Sequence, residues 1–361
     1  MRHLFYNSFH YVNYILRWVY AAGFMLAISF CFSLSCKAGI MTDRGLDELS
    51  LQLVDSGFVN PNAAYKSSHA STLVDCGGSI LAAWFGGSYE KHPDVCIYVA
   101  SKEKGVWQRD RMVADGVETE LIRNPCWNPV LFKRENGDIV LYYKVGPSPS
   151  KWYGAYKVST DQGKSWSEEH RISGNLLGPI KNKPVSVPSG ILYPTSIEDD
   201  QHWTVHMEFS NVDLSEWEKI EVDNGCFDAI QPTILTYPNN RLQILCRSKN
   251  QVITESWSED MGRTWSEMQA TSLPSNNSGI DAVTLSNGIQ LLIYNPIVEG
   301  RNKLSVAASI DGKTWKDLII LEDQPSGEFS YPAIIQGDDG KIYATYTYNR
   351  EKIKYVVMEI K

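Results

Sequence analysis

The sequence lacks the features that would place it in several large protein classes. Lys and Arg number 34 against 42 Asp and Glu, so a formal net charge of −8 gives no general attraction to nucleic acid. The seven cysteines match no zinc or redox spacing, and no long stretch after the first forty residues has a helical period. We therefore expect no cofactor, no bound metal, no nucleic-acid partner and little α-helix.

The apolar content is high enough for a large folded core. Of the 361 residues, 43% are hydrophobic and 11% are aromatic, which excludes a disordered or fibrous chain. One large domain or two ordinary ones would fit this length.

Residues 1–40 have the composition of an export signal or anchor. Basic residues precede the apolar run "WVYAAGFMLAISFCFSL" (Trp18–Leu34), whose 17 residues suit either a cleaved signal peptide or a short membrane anchor. Cys36 follows a segment that resembles a lipoprotein cleavage site with Leu34 one place out of register, so lipid anchoring at Cys36 also stays open. We expect export to a periplasmic, cell-surface or extracellular location, with an ordinary export signal slightly favoured.

The cysteines beyond this leader are odd in number and show no framework of paired spacings. We expect them to be small buried hydrophobic side chains and predict no disulfide; they are Cys76, Cys96, Cys126, Cys226 and Cys246.

A short turn is repeated along the rest of the chain. "STDQGKSW", "SEDMGRTW" and "SIDGKTW" end at Trp166, Trp265 and Trp315, and two degenerate copies end at Trp107 and Trp217. Successive copies are 59, 51, 48 and 50 residues apart. Four short strands and their connections fill such a period, and residues 45–361 have room for six units.

Strand and turn signals agree with this period. Runs such as "DIVLYYKVG" and "IQLLIYNP" are short and rich in Ile, Val, Leu and Tyr, and several follow tight-turn signals such as "ENGD" or "LSNG". We predict an all-β fold, a six-bladed β-propeller over residues 45–361.

The repeated turn itself is predicted to be scaffold. Its Asp can accept backbone N–H groups, its Gly permits a left-handed backbone and its Trp packs between strands. We expect Asp161, Asp260 and Asp311 to stabilise the fold, and the turn at Asp311 to be tighter because it is one residue shorter.

Each of the six units also begins its innermost strand with a polar stretch, such as "NPCWNPVLF" or "DAIQPTIL". Polar residues at equivalent points of a propeller converge on its axis. Lys, Asp and Gln are rarely buried without hydrogen-bond or charge partners. The alternative is a set of solvated strand starts around a wet channel. The residues expected at the axis are His69, Asn128, Lys181, Lys183, Gln231, Asp281 and Tyr331.

Neighbouring segments supply a second group of charged candidates. Together with Lys181 and Lys183, this group puts up to five cations near one mouth of an acidic protein. They would suit a carboxylate, since guanidinium groups bind one through two parallel hydrogen bonds. We therefore expect an acidic oligosaccharide or polysaccharide as partner and a monomeric protein. The second group comprises Glu90, Asp94, Lys144, Glu208, Arg247 and Arg301.

The ordered segments "HAST", "WFGG", "PDV", "WNPVLF", "GPIKNKP", "QPT", "CRS", "SGIDAV" and "YPA" resemble those of BNR-repeat proteins of the sialidase superfamily, whose repeated turns are called Asp-boxes. The resemblance covers roughly residues 60–355 and implies a six-bladed propeller and exo-acting glycan cleavage.

The site residues of that family carry over in part. The resemblance implies that Tyr331 is the nucleophile, Asp94 the acid/base, Arg247 the second arginine and Arg301 a candidate for the third. His69 stands where the first arginine is expected. Gln231 stands near the position of the glutamate that would activate the tyrosine.

These two departures bear on the reaction. A tyrosine needs a base or cation nearby to react at neutral pH, and Gln231 cannot take a proton, so Glu208, Glu328 or Asp281 would have to substitute. His69 could bind a carboxylate when protonated, or act as acid/base itself.

Three functions remain open from the sequence. The first is hydrolysis of a terminal acidic sugar, such as sialic acid, in the manner of a sialidase. The second is β-elimination from a uronic-acid-containing glycan, with His69 and Tyr331 as base and acid. The third is glycan binding without catalysis.

Overall fold

The structure, a computed structural model, describes residues 43–199 and 201–361. The leader interpretation, including Cys36, lies outside the described residues. Within them, no helix is long and apolar enough to cross a bilayer. A short helix, α1 (Asp43–Glu48), precedes a compact all-β unit.

The strands form six sheets arranged as the blades of a propeller, which confirms the predicted fold class. Blade 1 contains β2 (Ser67–Asp75), β3 (Ile80–Gly87), β4 (Cys96–Glu103), β5 (Val106–Trp107) and β6 (Arg111–Ala114); blade 2 contains β7 (Cys126–Lys133), β8 (Ile139–Val145), β9 (Tyr153–Ser159) and β10 (His170–Arg171); blade 3 contains β11 (Val185–Val187), β12 (Gly190–Glu198), β13 (Trp203–Ser210) and β14 (Trp217–Glu221).

The second half of the unit repeats this plan. Blade 4 contains β15 (Ala229–Thr236), β16 (Leu242–Ser248), β17 (Val252–Ser258) and β18 (Gln269–Pro274); blade 5 contains β19 (Asp281–Thr284), β20 (Gln290–Tyr294), β21 (Lys303–Ser309) and β22 (Lys316–Asp323); blade 6 contains β23 (Phe329–Gln336), β24 (Ile342–Tyr348), β25 (Lys352–Ile360) and β1 (Leu51–Phe58). All neighbouring strands within a blade are antiparallel, and β1 pairs with β25 to complete blade 6.

The hydrophobic core lies between neighbouring blades. Leu81 of blade 1 and Leu141 of blade 2 belong to one buried cluster, and Trp84 of blade 1 and Ile353 of blade 6 belong to another that closes the ring. Trp84 is fully buried, and its indole N–H donates to the hydroxyl of Tyr65 at 2.8 Å. Truncating a buried side chain of this size to alanine typically costs about 3–5 kcal/mol.

The Asp-box turns connect the third and fourth strands of their blades. Asp161 accepts hydrogen bonds from the backbone N–H and the hydroxyl of Ser165 at 2.8 and 2.6 Å. A Cβ on Gly163 would lie 2.5 Å from Leu81 of blade 1, so only glycine lets this turn pack so closely on the next blade. The contacts are those of the scaffold that the sequence predicts.

The shorter turn at Asp311 keeps the same pattern of contacts. Asp311 accepts from the backbone N–H groups of Lys313 and Thr314 at 2.8 and 2.7 Å. The N–H of Gly312 bonds to the hydroxyl of Ser309 three residues earlier, whereas Gly163 bonds to Ser159 four residues earlier. The turn is therefore tighter by one residue.

Four of the five cysteines among the described residues are buried, as expected of small hydrophobic side chains. Cys226 is exposed, which the sequence did not predict.

Candidate functional site

Four innermost strands carry the same irregularity at one end of the axis. Their pairing with the second strand is interrupted by a bulge, and one residue in each bulge has a positive φ; these residues are Ala70, Asn128, Gln231 and Tyr331, with φ of 53°, 40°, 57° and 49°. Such backbones cost about 1–3 kcal/mol each and concentrate at functional sites.

The local sequence accounts for three of these bulges. Asn128, Gln231 and Tyr331 each precede a proline, which has no N–H to contribute to the ladder. The strand therefore loses its pairing at the point where it reaches the axis. We call this end of the propeller, where the innermost strands begin, the mouth.

Tyr331 lies at the centre of the contacts at the mouth. Arg247 Nη1 donates to the Tyr331 hydroxyl at 2.7 Å and to Gln231 Oε1 at 3.2 Å, and its Nε donates to Asn277 at 3.0 Å. The ring of His69 lies 4.3 Å from the ring of Tyr331, centroid to centroid. Residues from blades 1, 4 and 6 thus meet at one point, as the repeated strand starts predict.

His69 is held as a neutral imidazole. It is 2% exposed, and its Nδ1 is 2.9 Å from the hydroxyl of Thr347. Burial, and then the charges of Arg350, Arg301, Arg247 and Lys181, keep the pKa of His69 well below its usual range. It therefore does not supply the positive charge of the arginine whose expected position it occupies.

A third arginine at the mouth was missed by the sequence reading. Arg350, in the hairpin between β24 and β25, donates from Nε to both carboxylate oxygens of Glu328 at 3.0 Å and from Nη1 to Glu90. Glu328 also accepts from Arg301 Nη1 at 2.8 Å. The guanidinium carbon of Arg301 is 5.8 Å from the centroid of the Tyr331 ring, so this cluster adjoins the tyrosine.

The fold uses only part of the hydrogen-bonding capacity of these three arginines. Among the described residues, the Nη2 groups of Arg247, Arg301 and Arg350 have no hydrogen-bond partner. Burial raises the pKa of Glu328, but its bonds to Arg350 and the charge of Arg301 outweigh this and lower it overall. The Glu328 carboxylate therefore stays charged and orients two of the three guanidinium groups.

Asp94 lies in the loop between β3 and β4, at the same end of blade 1. Its side chain is 38% exposed and accepts from the N–H and hydroxyl of Ser88 at 3.0 and 2.5 Å, and His92 Nδ1 is 2.8 Å away. Burial raises the pKa of Asp94, but the Ser88 bonds and His92 lower it overall. In this arrangement Asp94 is an ionised carboxylate bound within its own loop.

A further carboxyl group, that of Glu198, lies near Arg247 and was not predicted from the sequence. Ser196 of β12 accepts a hydrogen bond from the backbone N–H of Gln231 at 3.1 Å, and Glu198, two residues further along β12, faces the same way. Burial raises the pKa of Glu198, while Arg247 and Lys249 oppose this and Glu90 adds to it. Glu198 is thus a carboxyl group that retains its proton to higher pH than usual.

Several expected site residues instead support the chain that enters blade 3. The innermost strand of this blade is only three residues long, so residues 177–184 lack a regular ladder. Lys144 Nζ donates to the Pro179 carbonyl at 2.8 Å, and Glu208 accepts from the N–H of Leu177 and of Gly178 at 2.9 and 2.7 Å. Both side chains are fully buried and bonded to this segment, so neither is open to solvent; burial lowers the pKa of Lys144 to about 7.

Lys183 and Asp281 lie deeper along the axis than expected. They form an ion pair, and Asp281 also accepts from Thr233 and from the N–H of Ile334. Lys183 lines a cavity of about 530 Å³ where the innermost strands end, opposite the mouth. Only Asn182 separates Lys183 from Lys181, whose Nζ instead donates to the Pro332 carbonyl, next to Tyr331.

The described residues contain no group of three or more His, Cys, Asp or Glu side chains that could hold a metal ion. The ionisable groups that lie at the mouth are Tyr331, His69, the carboxyl groups of Glu90, Asp94, Glu198 and Glu328, and the guanidinium groups of Arg247, Arg301 and Arg350.

Comparison with known proteins gives a family and a fold. Residues 78–344 match the family described as BNR repeat-like domain. No curated protein matches the chain by sequence.

Three solved structures illustrate the likeness. A protein of unknown function from Dyadobacter fermentans has a TM-score of 0.72 and 15% identity over 86% of this chain and 100% of that one. The Hadza microbial sialidase Hz136 has a TM-score of 0.71 and 16% identity over 84% of this chain and 68% of that one. Trypanosoma rangeli sialidase has a TM-score of 0.68 and 14% identity over 85% of this chain and 60% of that one. At these identities the likeness supports the fold alone.

Proposed function

Because the chain belongs to the BNR repeat-like family and has a sialidase-like propeller, we propose that it is an exported glycoside hydrolase that releases a terminal acidic sugar. The observation that carries this proposal is the Arg247–Tyr331 hydrogen bond of 2.7 Å with Arg301 on the same tyrosine ring. It joins a potential nucleophile to groups that bind carboxylates.

Substrate binding would use the Nη2 groups of the three arginines, which have no partner among the described residues. The sugar carboxylate accepts hydrogen bonds from Arg247, Arg301 and Arg350, and Gln231 and Asn128 bind sugar hydroxyl groups. Glu90 would act indirectly, by orienting Arg350. Because His69 is neutral, the positive charge that binds the carboxylate comes from the arginines.

In the chemical step, the Tyr331 hydroxyl gives its proton to solvent water, and the resulting phenolate attacks the anomeric carbon as the glycosidic C–O bond breaks. The leaving oxygen takes a proton from Glu198, whose pKa is raised, or from Asp94, which would first have to be desolvated by the bound substrate and protonated. Water then cleaves the glycosyl–tyrosine bond and gives its proton to the same carboxylate, which restores the enzyme. The positive charge of Arg247 beside the phenolic oxygen favours loss of the tyrosine proton, a role that Gln231 cannot perform.

A second reaction is favoured by one observation, the packing of a neutral His69 against Tyr331. In β-elimination from a uronic acid, His69 takes the C5 proton, the C4–O bond breaks, and the leaving oxygen takes the Tyr331 proton. Arg247 donates to the tyrosine oxygen, so the hydroxyl proton is left available for this transfer.

The test is to offer the purified protein sialosides, rhamnosides and uronic-acid oligosaccharides while following reducing ends and the absorbance of unsaturated products. Reducing ends without absorbance support hydrolysis, and both together support elimination. Tight binding of an acidic glycan with neither signal would contradict an enzyme and leave a glycan-binding protein. The Tyr331→Phe protein serves as the matched blank.

A further inference from the structure

Lys181 is a buried ammonium group whose three hydrogens all have acceptors. Its side chain is 4% exposed, and its Nζ donates to Asn182 Oδ1 at 2.9 Å, to the Ile280 carbonyl at 2.8 Å and to the Pro332 carbonyl. An ammonium has three donors, so none is left for a substrate. This differs from the substrate-binding role expected from the sequence.

The acceptors connect Lys181 to the backbone of the tyrosine. Pro332 directly follows Tyr331 in blade 6, and Ile280 precedes the innermost strand of blade 5. A Cβ on Gly279 would lie 3.2 Å from Lys181 Cε and 3.3 Å from Tyr331 Cγ. The lysine stem and the phenol ring therefore pack on the same glycine.

The backbone at Tyr331 requires such support. Its φ is +49°, and the pairing of β23 with β24 is interrupted between Ser330 and Ala333. A non-glycine residue in this conformation is strained by about 1–3 kcal/mol and is stable only when its surroundings fix it. The bond from Lys181 to Pro332 replaces the ladder bond that is missing at this point.

We propose that Lys181 is a positioning residue that fixes the Tyr331–Pro332 backbone and thereby sets the direction of the phenol toward Arg247. The effect on turnover rests on the proposed function, whereas the effect on the orientation of Tyr331 does not.

The charge of Lys181 gives the arrangement a pH dependence. The ionisable groups that face it are Asp281, Lys183, Arg247 and the neutral His69, and burial lowers the pKa of Lys181 to about 7. A neutral amine has two hydrogens for three acceptors, so deprotonation releases one of the three bonds. The support at Pro332 therefore weakens as pH rises through the pKa of Lys181.

Fluorine NMR of the full chain labelled with 3-fluorotyrosine tests this directly, with the resonance of residue 331 identified by its loss in Tyr331→Phe. In Lys181→Met we expect this resonance to shift by more than its linewidth and to stop titrating near pH 7. The matched control is Lys102→Met, which removes a buried lysine paired with Asp55 at the opposite end of blade 1, and there the resonance stays within a linewidth of wild type. A folded Lys181→Met protein with an unchanged resonance overturns the proposal.

If Lys181→Met does not fold, Gly279→Ala decides the question, because its methyl group separates the lysine stem from the phenol ring. An unchanged resonance in folded Gly279→Ala would likewise overturn the proposal. On a substrate that wild type turns over, we expect the kcat of Lys181→Met to be about tenfold lower than that of wild type, with little change in KM. Absence of turnover by wild type would count against the proposed function alone, since the resonance still reports the orientation.

Discussion

Arg247 and Tyr331 are 84 residues apart in sequence, yet Arg247 Nη1 donates a hydrogen bond of 2.7 Å to the Tyr331 hydroxyl. The guanidinium occupies a lone pair of the phenolic oxygen, which leaves the hydroxyl proton free to move. One contact thus joins the group expected to bind the substrate to the group expected to react with it.

Replacing Tyr331 with Phe removes only the reacting oxygen. We expect turnover of the best acidic substrate to fall at least a thousandfold, roughly the scale seen when a nucleophile is deleted, with the dissociation constant changed less than about threefold. Steady-state kinetics and calorimetry with the free sugar measure the two effects. Tyr343→Phe, which removes a hydroxyl bonded to Asp339 at the opposite end of blade 6, is the matched control. Turnover that survives in Tyr331→Phe would remove this residue from the mechanism.

Replacing Arg350 with Met tests the arginine that the sequence reading missed. We expect the dissociation constant for an acidic sugar to rise about tenfold or more, since a charge-assisted hydrogen bond is worth about 1.5–3 kcal/mol. The methyl ester of the same sugar should bind wild type and variant equally. Arg263→Met, which also removes an arginine paired with a glutamate, lies in an Asp-box turn and should not change binding. Equal weakening for acid and ester would mean that Arg350 only supports the loop.

Replacing Glu198 with Gln tests which carboxyl group donates the proton. Burial raises the pKa of Glu198, so the protonated form persists to higher pH and a Glu198 donor would give an alkaline limb in the pH–rate profile. We expect that limb to disappear in Glu198→Gln. The same experiment with Asp94→Asn gives the alternative, and an unchanged profile in Glu198→Gln would assign the proton to Asp94.

The Glu198 substitution also has a signed effect on stability. A carboxyl whose folded-state pKa is raised begins to destabilise the fold as pH exceeds its unfolded pKa, and the full penalty is reached and retained above the raised pKa. Wild type and Glu198→Gln should therefore unfold at similar temperatures well below pH 4, and the variant should become relatively more stable as pH rises from the unfolded pKa to the raised pKa and stay so above it. Thermal melts across pH 3–8 check this.

Replacing Asp161 with Ala should damage folding and leave the chemistry unchanged. Hydrogen bonds from Ser165 and Ser159 lower the pKa of Asp161 to about 2, so its contribution to stability is present above the unfolded pKa and is lost as pH falls toward 2. We expect a lower melting temperature at neutral pH and a smaller difference at acid pH, with kcat unchanged. Asp323→Ala, an exposed carboxylate paired with Lys303, is the control. Normal stability with lost turnover would contradict the scaffold role.

Much of the fold could be predicted because its signals repeat. The tryptophan period near fifty residues and the six polar strand starts each report the same unit several times, and the six blades follow them. The same repetition predicts that Tyr331, Gln231 and His69 lie together, since each stands near the start of the innermost strand of its blade, whereas Arg247 joins them from a neighbouring segment.

The buried positions of Lys144 and Glu208 could not be predicted from the sequence pattern alone. Lys144 and Glu208 lie in central strands, where a charged side chain is rare, and only the short innermost strand of blade 3 explains why they are buried there. Arg350 and Glu198 were not predicted as site residues because they belong neither to a repeated turn nor to a repeated strand start. Each sits at the end of a second or third strand, and the path of a hairpin decides where its side chain reaches.

The pairing of β1 with β25 sets an order on the synthesis of this domain. The first strand of the described propeller cannot pair until the last has been synthesised, because residues Leu51–Phe58 have their partner in residues Lys352–Ile360. Until translation has almost ended, five blades can form while the sixth has no outer edge. A nascent chain stalled before Lys352 would display an open ring with an unpaired strand, the species on which chaperones and proteases would act.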